Sequence, residues 1–243
     1  MIIEDLWRKI LTDIHKKGSI HHKDDAEIKE ILNISGWIDN PLSEIAPNYG
    51  QFTKEQYIDF LKKGVFNIEG YNIKDEALAD YVLSLDKTKF IYLDDEDSFV
   101  YTYPERLRNI HLCNKKNMPQ FFDQISIICD RLKENKGSNR AVATLYSAGL
   151  DKDEEHIPCL NWIQALIRDD KLFLSIMFRS NDIYNAFPSN MFFINYIGLS
   201  ILEELKETYP SLSFEGIYYQ CSSAHYYTDE VTDEIIEEIT RRK

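Results

Sequence analysis

The chain contains a cysteine and an arginine at positions where a β-hairpin would bring them together. Cys159 opens the apolar segment 159–167, and Arg179 lies near the end of the alternating segment 171–180. In an antiparallel hairpin with a short turn, the first residue of one strand lies opposite the last residue of the other. A thiol beside a guanidinium is a nucleophile next to an anion-binding group. The spacing therefore predicts covalent chemistry on a substrate that carries an anion.

The strand that carries Arg179 is predicted from the alternation of apolar residues. Four residues would face one side of this strand: Leu172, Leu174, Ile176 and Phe178. The segment 159–167 is expected to be its antiparallel partner, although the charged residues 168–170 leave the turn type open. After a polar loop that ends at Pro188-Ser189-Asn190, apolar residues on all sides of 192–205 indicate a buried helix.

The remaining elements predict an α+β fold. Apolar spacing indicates helices at 3–16 and 118–132, and Asn117 would cap the second of these helices. The segment 27–38 is expected to form a strand or a pair of strands, 217–226 another strand, and 229–243 a charged helix. No internal repeat interrupts this pattern, so we expect a single domain over residues 1–243.

Composition limits the classes of partner. The chain has 243 residues, of which 44% are hydrophobic, a formal net charge of −13 and a pI near 4.9. A field of this sign repels nucleic acid and anionic membranes, but a few converging arginines can still bind a free mononucleotide. Without an apolar run long enough to span a membrane or a basic leader, a cytoplasmic protein is expected.

Neither the cysteines nor the histidines have the spacing of a metal site. The four cysteines, at 113, 129, 159 and 221, lack the close pairs that are typical of zinc or redox motifs. Cys113, Cys129 and Cys221 are expected to be small core residues. His15, His21 and His22 are close in sequence, but without a ligand spacing we interpret this cluster as a surface turn.

A set of linked residues between positions 158 and 190 resembles a known family. The set consists of Pro158-Cys159, Gln164, Arg179-Ser180 followed by Asp182, and Pro188 followed by Asn190. Arg179 follows the cysteine by 20 residues and Asn190 follows it by 31. In residue types and in spacing the segment resembles the thymidylate synthase superfamily, and more closely its phage-type pyrimidine hydroxymethylases.

Three further segments extend the resemblance to residues 101–227. His225-Tyr226-Tyr227 is similar to the His-x-Tyr element of that family. The segment 101–108, which contains Tyr103, is similar to its Tyr-Gly-x-x-x-Arg segment, and 137–140 is similar to its Ser-Arg-Arg phosphate loop. The resemblance implies a thymidylate synthase-like fold, in which a mixed β-sheet packs against helices and two copies of the chain pair through their sheets.

The resemblance also implies a reaction. Cys159 would add to C6 of a pyrimidine mononucleotide, and C5 would then accept a one-carbon unit from 5,10-methylenetetrahydrofolate. The nucleotide-binding residues implied by the family are Arg179, Ser180, Gln164, Asn190, His225, Tyr227 and, from the other subunit of a homodimer, Arg140. Asp182 and Tyr103 would complete the catalytic set. In the family a helical glutamate handles protons around the ring, and here either Glu55 or Gln56 occupies that place.

The nature of Asn190 indicates which base is bound. An amide can donate to O4 and accept from N3–H of uracil, whereas an aspartate would suit the amino edge of cytosine. The phage-type deoxycytidylate enzymes carry the acid, so Asn190 favours a uridylate such as dUMP.

Departures from the family pattern bear on the product. Leu160 follows the cysteine where thymidylate synthases usually have histidine, Asn139 replaces an arginine, and Ala186 replaces a glycine. The charged tail 237–243 lacks the apolar ending that excludes water, which favours a hydroxymethyl product over a methyl product. The same departures leave an alternative open, namely a nucleotide- or protein-binding module on this scaffold that has lost turnover.

Overall fold

The β-hairpin that carries Cys159 and Arg179 lies at the centre of the fold. The computed structural model describes residues 1–23, 25–39, 41, 67–68, 71–72, 81–86, 101–113 and 119–241. The first strand of the hairpin, β8, spans Leu160–Arg168, and the second, β9, spans Lys171–Asp182. Asp169 and Asp170 connect the two strands with φ of 50° and 56°. Two consecutive residues with positive φ define a type I′ turn, whose twist matches that of the strands. The hairpin prediction is therefore confirmed, and the turn type is now known.

The strands form a mixed six-stranded sheet in the order β1-β2-β10-β9-β8-β7. The remaining members are β1 (Ser19–Lys23), β2 (Ala26–Asp39), β7 (Val142–Thr144) and β10 (Ser213–Tyr227). β9 and β10 are parallel, and every other neighbouring pair is antiparallel. His21 and His22 lie exposed on β1, so the surface turn predicted for them is wrong: they belong to an edge strand.

One face of the sheet is covered by helices, and its alternate residues form the core. Leu172, Leu174, Ile176 and Phe178 of β9 are fully buried, as their alternation predicts. α1 (Ile3–Lys17) packs its apolar stripe against β2 and β10, and its Trp7 indole donates to the Ile183 carbonyl at 2.6 Å. An α+β fold with helices on a mixed sheet is thus confirmed.

The buried helix begins earlier than its apolar run predicts. It spans Phe187–Lys206 (α5), and Pro188 lies in its first turn, where a missing backbone N–H removes no intrahelical hydrogen bond. The predicted polar loop through Asn190 is therefore wrong. The backbone N–H of Asn190 donates to the Ala186 carbonyl at 2.9 Å, which is the i to i−4 bond of a helix. This difference places Asn190 on a rigid element that packs against β9 and β10.

The helix predicted at 118–132 begins later than expected. Residues Pro119–Phe122 form β6, which pairs with β5 (Ile110–Cys113), and the helix α3 spans Gln124–Glu134. Asp123 caps this helix, since its side chain accepts from the Ser126 amide at 3.0 Å. The predicted cap at Asn117 is wrong, and the residue itself lies outside the described part of the chain.

Short elements and a terminal helix complete the described structure. They are β3 (Asn67–Ile68), β4 (Tyr71–Asn72), a 3₁₀ turn at Ser84–Asp86, α2 (Tyr103–Arg108), α4 (Ala148–Asp151) and α6 (Asp233–Arg241). α6 packs against α1, where Arg8 donates to the Ile239 carbonyl. Glu55 and Gln56 lie outside the described residues.

The other face of the sheet exposes a group of large apolar side chains. We call this group the open-face patch; it consists of Leu32, Trp37, Phe173, Met177 and Tyr218. Leu32 is 61% exposed and Met177 is 41% exposed. The Trp37 ring lies 5.7 Å from the ring of Phe173 and 6.5 Å from that of Tyr218. Several exposed apolar side chains on one face of a sheet are typical of an interaction site.

Candidate active site

The hairpin places Cys159 directly beside Arg179. The Arg179 amide donates to the Cys159 carbonyl at 2.8 Å, so the two residues face each other where the strands end. Their side chains also meet, with 3.6 Å between Arg179 Nη2 and Cys159 Sγ. The thiol is partly buried and therefore remains within reach of a ligand. This is the contact that the spacing of the two residues predicts.

Backbone carbonyls hold the Arg179 guanidinium in place. Its Nη2 donates to the Ile157 carbonyl at 2.8 Å and its Nε donates to the Pro158 carbonyl at 3.1 Å. Its Nη1 donates to Ser180 Oγ at 3.1 Å, and that hydroxyl lies 3.7 Å from Cys159 Sγ. These partners are neutral, so the positive charge of Arg179 stays available to stabilise a thiolate or to bind an anion.

Two tyrosines border the thiol. Tyr103 accepts a hydrogen bond from the Leu160 amide at 3.3 Å, and Tyr101 donates to the Ile157 carbonyl at 3.1 Å. Burial raises the pKa of Tyr101 to about 12 and that of Tyr103 well above its usual value, and the neighbouring Cys159 adds to both shifts. Both phenols therefore keep their protons at neutral pH and can act as proton donors.

Sequence reasoning selected only Tyr103 of this pair. Tyr101 precedes Arg106 by the same interval as Tyr103 precedes Arg108, so the motif fits in two registers. The structure brings both tyrosines close to Cys159. The Arg106 guanidinium lies 5.7 Å from the centre of the Tyr101 ring. The same guanidinium forms an ion pair with the buried Asp151 at 2.5 Å. The signal for Tyr101 was present in the spacing.

A second group of polar residues lies at the end of β9. Asn190 Nδ2 donates to Asn181 Oδ1 at 3.0 Å, and Asn181 Nδ2 donates to the Tyr219 hydroxyl at 3.0 Å. Sequence reasoning missed Asn181, because its partners lie on two other elements, α5 and β10, and no sequence pattern relates the three positions. Asn190 is partly buried, so its side-chain amide can contact a ligand while it keeps its hydrogen bond to Asn181.

Asp182 organises the turn between β9 and α5. Its Oδ1 accepts from the amides of Tyr184 and Asn185, both at 3.0 Å, and its Oδ2 accepts from Asn185 Nδ2 at 3.0 Å. A carboxylate has about four acceptor positions, so Oδ2 keeps capacity for a further donor. Asp182 is partly buried at the site end of β9, where it could contact a ligand.

His225 and Tyr227 lie next to this turn on β10. The His225 carbonyl accepts from the Ile183 amide at 2.8 Å, and the Tyr227 ring stands edge-on to the imidazole at 5.7 Å. His225 is 3% exposed, and its Nδ1 is buried without a hydrogen-bond partner in the described structure. Burial, assisted by Lys23, lowers the pKa of His225, which therefore favours the neutral imidazole.

Gln164 and Arg140 lie apart from the cysteine. A register shift between Leu160 and Trp162 acts as a β-bulge and brings Gln164 to the same side of β8 as Cys159. However, five residues of a strand span about 16 Å, and the Gln164 side chain donates to the Asn139 carbonyl. Arg140, just before β7, is exposed. The chain by itself does not bring these two residues to the thiol.

Two further observations concern metals and membranes. Among the described residues, no group of three or more His, Cys, Asp or Glu side chains is arranged to hold a metal ion. The helices of the described ranges are all too short or too polar to cross a bilayer.

The fold and this site together define an α+β protein in which a thiol and an arginine meet at the open end of a β-hairpin. Comparison with known proteins identifies its family. A profile of the family described as Thymidylate synthase matches residues 53–243. The chain therefore belongs to the thymidylate synthase family.

Several archaeal proteins are similar to the chain over most of its length. A protein of Methanococcoides burtonii named "Putative thymidylate synthase" is 28% identical over 226 residues, which cover 93% of this chain and 86% of the relative. A protein of the same name from Methanothermobacter marburgensis is 28% identical over 229 residues, 93% of this chain and 90% of its own. A third, from Methanocaldococcus jannaschii, is 31% identical over 172 residues, 69% of this chain and 70% of its own.

Proposed function

We propose that this protein transfers a one-carbon unit to C5 of a pyrimidine mononucleotide, with a dUMP-like nucleotide as the preferred substrate. The observation that carries the proposal is the 3.6 Å contact between Cys159 Sγ and Arg179 Nη2. Family membership supports the class of reaction, a transferase reaction on a pyrimidine nucleotide.

Cys159 supplies the nucleophile. C5 of a uracil ring is a weak nucleophile, so a thiolate first forms a bond to C6, and the ring electrons move to give an enolate with charge density at C5. Arg179 stabilises the thiolate before the attack, because its guanidinium lies against the sulfur. Loss of the C5 proton later allows the C6–S bond to break, which regenerates the thiol and the aromatic ring.

The phosphate is bound by residues of β9, and the sugar is bound by residues of the neighbouring strand β10. Arg179 and Ser180 donate to the phosphate, and Arg140 reaches it from a second subunit, which accounts for its exposure in a single chain. His225 and Tyr227 bind the sugar hydroxyl next to the end of β9. Gln164 supports the phosphate side through the 139–140 turn, to which its amide donates.

Asn190 forms hydrogen bonds with the base. The two tyrosines and Asp182 are the groups that could donate or accept protons near it. Asn190 keeps a carbonyl and one N–H free of its contact with Asn181, and these two groups complement N3–H and O4 of uracil. Burial raises the pKa of both phenols, so Tyr103 and Tyr101 stay protonated, and the Tyr103 hydroxyl can donate a hydrogen bond near the ring. Asp182 is the carboxylate closest to this end of β9.

The residues present are compatible with a folate. A reduced pterin offers N–H donors, and Asp182 Oδ2 has acceptor capacity beyond its bond to Asn185. When bound, 5,10-methylenetetrahydrofolate would supply the one-carbon unit at the oxidation level that C5 receives. Asp182 would hold and orient the pterin edge, and the product would be hydroxymethyl rather than methyl if water reaches the reacting carbon.

We also propose that residues 1–243 form one domain and that two copies pair through their sheets. The open-face patch provides the apolar surface for such a contact. A sheet-mediated homodimer would bring Arg140 of one subunit towards the phosphate group bound by the other.

Replacement of the nucleophile tests the proposal. We expect Cys159→Ala to abolish tritium release from [5-³H]dUMP, because the variant lacks the thiol that adds to C6. Cys129→Ala, which removes a buried thiol of α3, is the matched control and should retain release. Release that persists in Cys159→Ala at the wild-type rate would refute the mechanism.

A second measurement separates an enzyme from a binding module. Incubation with 5-fluoro-dUMP and methylenetetrahydrofolate should add the masses of the nucleotide and of the folate bonded to its C5 to the peptide that contains Cys159, because fluorine at C5 cannot leave as a proton does. Nucleotide binding without a covalent adduct would instead support a protein that has kept the scaffold and lost turnover.

A further inference from the structure

We propose that Asn161 is a positioning residue for the nucleophile: its side-chain amide holds the peptide group that precedes Cys159 and thereby directs the thiol towards the base. The inference rests on the proposed function, because it takes Cys159 as the group that attacks C6. Asn161 does not need to touch the nucleotide for this role.

Asn161 is the extra residue of the β-bulge at the start of β8. The register shifts between Leu160 and Trp162, where β8 advances by two residues while β9 advances by one. Bulges next to functional sites commonly redirect a neighbouring side chain. The Asn161 carbonyl accepts from the Leu145 amide at 2.9 Å, so the chain just after β7 holds the backbone of the bulge. From this fixed backbone the Asn161 side chain reaches back along the chain.

The side chain of Asn161 closes a turn around Cys159. The chain bends at Cys159, and Asn161 Nδ2 donates to the Pro158 carbonyl at 2.9 Å. A carbonyl oxygen can only accept, so the contact determines which end of the amide faces Pro158, because the reversed amide would place two oxygens against each other. Pro158 is buried and Asn161 is partly buried, so the bond is shielded in part from water.

Cys159 lies between two peptide groups, and hydrogen bonds hold both of them. In the peptide group before it, the Pro158 carbonyl accepts from Asn161 Nδ2 at 2.9 Å and from Arg179 Nε at 3.1 Å. In the peptide group after it, the Cys159 carbonyl accepts from the Arg179 amide at 2.8 Å. Because peptide groups are planar, holding both planes fixes φ and ψ of Cys159 and hence the direction of its Cα–Cβ bond.

Arg179 alone would hold the first of these peptide groups less well when a nucleotide binds. In the proposed function its guanidinium also stabilises the thiolate and donates to the phosphate, and these contacts compete with its bond to the Pro158 carbonyl. The Asn161 amide is neutral, so its bond to the same carbonyl remains when the guanidinium moves towards the ligand. Asn161 therefore keeps the thiol in place while Arg179 adjusts.

Removing the amide tests this role. In Asn161→Ala we expect kcat for tritium release from [5-³H]dUMP to fall roughly tenfold, with KM within about threefold of the wild type, because the thiol loses its geometry for attack while the nucleotide contacts remain. An unchanged kcat, with or without a raised KM, would overturn the inference.

Thr12→Ala is the matched control. Like Asn161, Thr12 is partly buried and donates from its side chain to a backbone carbonyl, that of Arg8 at 2.7 Å, but it lies on α1. The substitution removes a hydrogen bond of the same kind away from the thiol, so it should leave both kcat and KM at the wild-type values.

An isosteric variant separates hydrogen bonding from packing. Asn161→Asp keeps the size and shape of the side chain, but its carboxylate cannot donate to the Pro158 carbonyl. We expect kcat to fall at least as far as in Asn161→Ala, and the variant also covers the case in which the alanine protein does not fold. Wild-type kcat in a folded Asn161→Asp protein would show that only the shape of the side chain matters and would overturn the inference.

A measurement without nucleotide tests the hold on the backbone directly. The Cys159 amide belongs to the same peptide group as the Pro158 carbonyl, so its ¹⁵N order parameter reports the motion of that group. This order parameter should be lower in Asn161→Ala than in the wild type and in Thr12→Ala, whereas the Leu160 amide, which belongs to the next peptide group, should keep its value. An unchanged Cys159 order parameter would refute the role of Asn161 whatever the activity.

Failure of this inference can be told from failure of the proposed function. Wild-type protein that neither binds dUMP nor releases tritium would refute the proposed function, and the direction of the thiol towards a base with it. The order parameters would still show whether Asn161 holds the backbone. Wild-type tritium release together with an unchanged order parameter in Asn161→Ala would refute the inference alone.

Discussion

At the scale of single residues, the surroundings of the thiols separate Cys159 from its neighbours. Burial raises the pKa of Cys129 and of Cys221 to about 12, which keeps both as thiols. Cys159 is partly exposed and has a guanidinium and a hydroxyl within 4 Å of its sulfur. Reactivity is therefore expected at Cys159 alone among these three, in agreement with its place in the hairpin.

The protonation of His225 should make stability depend on pH. Burial and Lys23 lower the pKa of its imidazole below the ordinary 6.5, and Asp182 and Glu30 oppose this only in part. A lowered pKa means that the unfolded chain binds the proton first. The contribution of the neutral imidazole is complete above pH 6.5 and is lost as the pH falls from 6.5 towards the folded-state pKa.

Unfolding by urea between pH 7.5 and 5.5 would measure this effect. The wild type should lose more stability over this range than His225→Gln, which cannot take up the proton. His156→Gln, at an exposed position, serves as the control and should follow the wild type. Parallel curves for the wild type and His225→Gln would show that the imidazole does not titrate in this way.

What the sequence could predict at this scale depended on how far apart the partners lie in the chain. The contact of Cys159 with Arg179 follows from hairpin register, which is local. Asn181 contacts Asn190 on α5 and Tyr219 on β10, and no periodicity relates these positions. The roles of the polar side chains at the end of β9 were therefore visible only once α5 and β10 had been placed.

At the scale of elements, alternation and apolar spacing gave the type of an element more reliably than its ends. The hairpin strands and the buried helix were predicted, because burial on one face or on all faces leaves a clear pattern. The start of α5 was wrong by five residues, since Phe187 and Pro188 were assigned to a loop. Segment 119–122 has apolar residues that suit either a helix or β6, and tertiary pairing with β5 decides between them.

Close packing of α5 on β10 makes Gly198 sensitive to substitution. A Cβ at this position would lie 2.4 Å from the ring of Phe214, which is itself 1% exposed and cannot easily move. We expect Gly198→Ala to destabilise the protein, because overpacking of about 1–3 kcal/mol exceeds the helix propensity gain of about 1 kcal/mol. Thermal unfolding should show the lower Tm.

A glycine in open surroundings provides the comparison. The same substitution at Gly149, on α4, would place a Cβ 3.9 Å from the closest atom, the Ser147 hydroxyl oxygen. Gly149→Ala should therefore leave Tm unchanged or raise it slightly. An equal fall in Tm for both variants would show that contact with Phe214 is not the cause.

At the scale of the whole molecule, the position of Arg140 and the open-face patch have one common explanation. Arg140 is exposed, and the patch leaves Trp37 and Met177 partly in water. Pairing of two sheets would cover the patch and bring each Arg140 close to the other subunit. In the proposed dimer, the phosphate site would be complete only when both subunits are present.

Mixing two inactive variants should restore activity if sites are shared. Arg140→Ala lacks the phosphate contact, and Cys159→Ala lacks the nucleophile. After subunit exchange, each mixed dimer contains one site with both residues intact, so an equal mixture should recover about a quarter of wild-type activity. Tritium release from labelled dUMP would measure it.

The open-face patch supplies the control for this experiment. Trp37→Glu places a charge in the patch and should give a monomer by light scattering, with a raised KM for the nucleotide. Mixtures in which both partners also carry Trp37→Glu should show no recovery. Recovery in that case would mean that the subunits pair through a surface other than the open-face patch, whereas no recovery in the first mixture would mean that Arg140 acts within its own subunit.

The place of β10 between β2 and β9 also bears on how the chain is made. β2 emerges from the ribosome early, but its partner β10 ends at residue 227 and emerges among the last elements. Until then the part of β2 that carries Leu32 and Trp37 has no neighbouring strand, because β1 pairs only with residues 26–30 of β2. Vectorial synthesis therefore delays closure of the sheet, and nascent chains arrested before residue 213 should bind chaperones that recognise unpaired apolar strands.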